Sequence, residues 1–118
     1  PKRREALGDD DDPNHHSLVL QVDWRGRPWA LLTGDIPAEV ERTLALRPVD
    51  VLVAPHHGSA HSTSPHLLAA TQPIDVIISS GTNRYGHPAS VVLERIAAAG
   101  AVVHRTDWLG SVRRQPAW

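Results

Sequence analysis

Cysteine is absent from the 118 residues, which excludes disulfides and thiolate metal sites and fits either side of a membrane equally well. Methionine is absent too; with no initiator residue and a start at Pro1, the expectation is a segment of something larger. Lysine occurs once, at Lys2, so the basic residues are almost all arginine. No apolar run approaches the roughly 18–20 residues of a membrane-spanning helix, and no signal-peptide pattern is present. Neither sign of charge is in excess: the formal net charge of −1 argues against a surface coated for nucleic acid, although a phosphate-handling enzyme needs no such excess. What the chain does have is 41% hydrophobic and 21% charged residues, enough for a modest core in one domain or less.

Residues 1–13, "PKRREALGDDDDP", form a charged lead-in whose four successive aspartates repel one another and bury nothing, as in a linker or an exposed loop. Ordered structure is expected from "SLVLQVDW", where alternation puts Leu18, Leu20 and Val22 on one face of a strand. "RGRP" turns the chain and "WALLTGD" returns, so the two strands pair as a hairpin. "IPAEVERTLALR" predicts a helix with Pro37 in its first turn and Val40, Leu44 and Leu46 as a partial apolar stripe. The apolar run 50–55 predicts a strand covered on both faces. Ser64 followed by Pro65 predicts an N-cap and the start of a short helix. Residues 74–81 predict a further strand and 88–99 a helix, with Val91, Leu93, Ile96 and Ala97 available to the core and Gly100 at its C-terminus. "AVVHRTD" predicts another strand, and "GSVRR" one more at the edge. Two strands followed by helix–strand units indicate an α/β layer with helices packed on a mixed sheet.

Three polar loops each follow the carboxyl end of an apolar strand: "TGD" at 33–35, "PHHGS" at 55–59 and "NRYGHP" at 83–88. Strand ends of this kind bind ligands in α/β sheets, because a rigid strand aims the loop. Each loop also has a plainer reading. Asp35 precedes a helix, where a carboxylate is favoured as a cap; His87 can cap the helix at Pro88. His15, His16 and His66 read as solvent-facing, His104 as a partly exposed strand residue, and His61 is open. His56 and His57 are harder to place on a surface: two imidazoles follow a buried strand, with Gly58 allowing close backbone approach. Imidazole is the commonest metal ligand, and aspartate can bridge two ions. The spacing itself matches no zinc signature.

"NHHSLVLQV", "WALLTGD", "DVLVAPHHGSAHSTS", "IISSGTNRYGHP" and "RTDWLGS", in this order, resemble the C-terminal half of the metallo-β-lactamase-like domain of ComEC-type DNA-internalisation proteins. Those are polytopic membrane proteins of natural transformation. The likeness covers residues 14–112. "HHGS" and "LLTGD" recur widely among metallo-β-lactamase-fold hydrolases, whereas their combination with "NxYGHP" is more specific to the ComEC group. The resemblance implies that residues 14–118 are about half of an αββα sandwich, a fold with a two-metal site at one edge. It implies that Asp35 bridges two divalent ions, zinc or manganese, and that His57 is a metal ligand. His56, Ser59, Asn83 and Tyr85 fall on the substrate side, His87 is a proton donor or phosphate contact, and Asn14 and Ser17 are structural.

The chemistry implied is two-metal hydrolysis of a phosphodiester, in a parent bound to the bacterial cell membrane with this domain outside the cytoplasm and DNA as substrate. Two departures stand out. Val53 occupies a position where the family often carries lysine, and the HxHxDH-type motif that supplies the other metal ligands is nowhere in the sequence. The expected partners are therefore the missing N-terminal half of the domain and the parent's membrane channel. The segment alone is soluble and not expected to catalyse. The alternatives are a soluble metallo-β-lactamase-fold hydrolase of another phosphodiester and a non-catalytic truncated remnant.

Overall fold

A computed structural model of the chain describes residues 18–79, 88–106 and 113–116, with the side chains of His56 and His57 excepted. The lead-in, Asn14 to Ser17, the loop carrying Asn83, Tyr85 and His87, and the start of "GSVRR" lie outside the described residues.

The hairpin forms as the sequence predicts. β1 (Leu20–Trp24) pairs antiparallel with β2 (Arg27–Leu32), with an irregularity in register between Val22 and Asp23. The two residues between them, Arg25 and Gly26, both take positive φ (50° and 82°), the backbone twist that a two-residue hairpin turn requires. Three parallel strands follow, β3 (Val51–Val53), β4 (Asp75–Ile78) and β5 (Val102–Arg105), in the sheet order β1-β2-β3-β4-β5.

The crossovers carry α1 (Ala38–Glu41), α2 (Pro65–Thr71) and α3 (Ser90–Ala98). Each parallel strand is added beside the one before it, so right-handed crossovers put every connecting helix on one face of the sheet. The core follows suit. Leu31, Leu52 and Val76, in register across β2, β3 and β4, pack in one cluster with Leu67 and Leu68 of α2 and Val92 and Ile96 of α3. Strand alternation sends Leu20, Val22, Leu32 and Val102 to the other face. There they are exposed by 49, 39, 38 and 55% respectively.

Three expectations need correction. The helix from Pro37 lasts a single turn: the backbone tightens into i→i+3 bonds, Thr43 N donating to the Val40 carbonyl at 2.9 Å and Leu44 N to the Glu41 carbonyl at 3.3 Å, with the Thr43 hydroxyl also donating to the Val40 carbonyl at 2.7 Å. α3 starts at Ser90, two residues later than the sequence suggests, and buries Val92 and Ile96; Val91 and Ala97 face outward. β3 is buried at Val51 and Leu52 but partly open at Val53, so it is not covered on both faces along its length. The Ser64–Pro65 start of α2 is as predicted, with Ser64 Oγ accepting from Leu67 N at 3.2 Å.

Candidate functional site: the carboxyl ends of three parallel strands

β2, β3 and β4 are adjacent and parallel, so the segments leaving their carboxyl ends share one edge of the sheet. After β2, the chain turns at Gly34 (φ +59°) and reaches half-buried Asp35 and fully buried Ile36. After β3, Pro55–Gly58 forms one turn of 3-10 helix that carries His56 and His57. Thr33 Oγ1 donates to the Val53 carbonyl at 2.6 Å, which ties the two exits together.

The third segment re-enters at Pro88 and is held equally closely. Ala89 N donates to the Gly58 carbonyl at 2.8 Å. Gly58 sits at φ +80°, and a Cβ there would lie 2.6 Å from Pro88 Cβ and 3.0 Å from Pro88 Cα. Glycine is required at this point on both counts: its left-handed backbone and the contact itself.

Residues 59–64 are stitched to the segment after β2. Ala38 N donates to the His61 carbonyl at 2.8 Å, and Ser62 Oγ donates to the Ile36 carbonyl at 2.6 Å. Ser59 is buried, and its Oγ accepts from His61 N at 3.2 Å. The strongest tie was invisible in sequence. Glu41, at 0% exposure, accepts from Thr63 N at 2.6 Å, Ser64 N at 2.9 Å and Ser64 Oγ at 2.7 Å. Thr63 is fully buried at φ +55°, and its Oγ1 has no hydrogen-bond partner among the described residues. Positive φ is a true outlier for a β-branched residue, and outliers of this kind cluster at functional sites.

Several readings of single residues resolve. The N-cap position of α1 is Pro37 rather than Asp35, and Pro37 makes no side-chain cap hydrogen bond. His61 and His66 are exposed. His104 is a partly exposed strand residue, as the sequence suggests. Its Nε2 lies 2.7 Å from Asp75 Oδ1 at the amino end of β4, away from the strand-end loops, and Arg114 Nη2 lies 2.9 Å from its Nδ1. Among the described residues, no group of three or more His, Asp or Glu side chains is placed to hold a metal ion. The described residues therefore do not by themselves fit the two-metal centre that the resemblance implies. Among them, no helix is long and apolar enough to cross a membrane.

No family model matches the chain, and no solved structure matches it significantly. Curated relatives do. The chain is 43% identical over 103 residues to Recombination protein 2 of Haemophilus influenzae, a match covering 85% of this chain and 13% of that protein. It is 39% identical over 105 residues to ComE operon protein 3 of Bacillus subtilis, covering 85% of this chain and 13% of that one. To Competence protein ComA of Neisseria gonorrhoeae it is 37% identical over 108 residues, covering 86% and 16% respectively. The chain thus spans about a seventh of the length of these relatives, and is similar throughout most of its own length to one segment of each.

Proposed function

We propose that the chain is a segment of a DNA-uptake protein of natural transformation, and that its strand-end loops form one side of a metal-dependent phosphodiesterase site acting on DNA. The observation that carries the reading is the placement of "TGD" and "PHHGS" at the ends of adjacent parallel strands, cross-linked by the Thr33–Val53 hydrogen bond. The names of the relatives, one of them a competence protein, supply the biological setting.

In this reading Asp35 and His57 are metal donors, and His56, Asn83, Tyr85 and His87 face the phosphodiester; Ser59, expected beside them from the sequence, is buried and braces the loop by accepting from His61 N. Two donors fall short of the three or four protein ligands a zinc site usually takes. The remainder come from polypeptide that packs on the exposed apolar face of the sheet, where Leu20, Val22 and Leu32 offer a ready surface. That second layer completes the αββα sandwich, and the whole is attached to a membrane channel. The fold assignment and the hydrolytic activity are both part of the proposal.

The test is hydrolysis of a fluorescent single-stranded DNA and of a small phosphodiester in manganese or zinc. It compares the chain alone, the chain joined to the polypeptide encoded upstream of it, and the joined form with Asp35→Ala. Cleavage by the joined form alone, lost with Asp35→Ala, supports the reading. A joined form that folds and cleaves neither substrate contradicts it and favours a non-catalytic segment.

A further inference from the structure

A carboxylate with no exposure and three hydrogen bonds is an expensive thing to place in a small core, since charge is buried only when it is well partnered. All three partners belong to one two-residue step, Thr63–Ser64, at the far end of the loop that begins with the His56-His57 turn. That step combines a left-handed β-branched residue with an N-cap, so its backbone is the least adaptable part of the loop. The near end of the loop is fixed as well, by the Gly58 contact with Pro88 and the Ala89–Gly58 hydrogen bond.

We propose that Glu41 is the positioning residue of the strand-end site: by holding Thr63 left-handed and capping α2 from outside the helix, it fixes the span from Gly58 to Ser64 and so sets the direction in which His56 and His57 leave β3. The inference deepens the site reading above and rests on those loops being the site. It follows from connectivity. Residues 59–62 are few and tethered to Ile36 and Ala38, so the loop has little slack and a shift at Thr63 is transmitted along it as strain on the Pro55–Gly58 turn. A plain stability role predicts something different, namely loosening of α2 without any change around the two imidazoles.

The experiment reads imidazole and amide signals by NMR in the full 118-residue chain, with neither metal nor DNA added. In Glu41→Gln the side chain keeps its shape, but one acceptor oxygen becomes an NH2 facing donors. Amide protection at Thr63 and Ser64 is expected to fall about 10–100-fold, the loss of one or two charge-assisted hydrogen bonds, and the ring 15N resonances of His56 and His57 are expected to shift. Thr71→Val, which removes the Thr71 Oγ1 hydrogen bond to the Leu67 carbonyl within α2, weakens the same helix without touching Glu41 and leaves both rings unchanged. Adding Thr63→Gly to Glu41→Gln returns the ring resonances toward wild type, because glycine holds φ +55° unaided.

If Glu41→Gln does not fold, Ser64→Ala is read the same way, with a smaller shift, since it removes one of the three bonds. Lost protection at Thr63 and Ser64 with unmoved His56 and His57 resonances overturns the proposal and leaves Glu41 a helix cap alone. A chain that binds no metal leaves these readouts intact, so the failure of the site reading is distinguishable from the failure of this one.

Discussion

Replacing Gly58 with alanine tests the join between the "PHHGS" loop and the third strand-end segment. The new Cβ would lie 2.6 Å from Pro88 Cβ, 3.0 Å from Pro88 Cα and 3.3 Å from Ile78 Cγ2, and the backbone would stay at φ +80°. The left-handed conformation costs an L-residue about 1–2 kcal/mol. Forcing a methyl group into a packed contact costs about 1–3 kcal/mol more, because Pro88 presents backbone and ring atoms that cannot swing aside. The sum, about 2–5 kcal/mol, is a large share of the roughly 5–15 kcal/mol that stabilises a typical domain. Urea denaturation of Gly58→Ala is therefore expected to show that loss with an unchanged slope. Pro88→Gly removes the nearest clashing atom, so the double variant recovers the steric part and the cycle shows a coupling of about 1–3 kcal/mol. A cost below about 1 kcal/mol, or an additive cycle, refutes the close approach of the two loops.

Ser64→Ala removes the N-cap of α2 together with one bond to Glu41, and is expected to cost about 1–2 kcal/mol by denaturant titration, at the upper end of cap losses. Ile96→Ala, in the helix-side core, is expected to cost about 2–5 kcal/mol by the same measurement. Leu20→Thr, on the exposed sheet face, is expected to change the stability of this chain by less than about 0.5 kcal/mol. It should nevertheless weaken packing against any covering layer, which a stability measurement on the joined form would show as a loss several times larger.

Local chemistry was the legible part of the sequence. Arg25-Gly26 between alternating strands, and Ser64-Pro65 before an apolar stretch, each specify a backbone geometry within a few residues, and both form as read. The α3 stripe was ambiguous because Val91 and Val92 are both apolar; which one turns inward depends on where the helix starts, and that is set by the tertiary hold on Pro88 and Ala89. The long helix expected after Pro37 gives way to i→i+3 bonds at Thr43 and Leu44, where Thr43 also bonds back to the Val40 carbonyl, local bonding that hydrophobic periodicity does not weigh. Nothing in the pattern of that helix marks Glu41. Its partners lie 22 and 23 residues further along the chain, so no spacing rule reveals them. For the candidate site, sequence located the three loops at strand ends, and the topology brings the first two to one sheet edge. A positive φ on a buried threonine, by contrast, has no sequence signature.

The most direct measurement of the central claim is calorimetric titration of manganese and of zinc into this chain and into the form joined to its upstream polypeptide, each with and without Asp35→Ala. Only the joined form is expected to bind two ions tightly, and Asp35→Ala to abolish this without unfolding the protein. Failure of the folded joined form to bind either metal, or binding that survives Asp35→Ala undiminished, would contradict the claim.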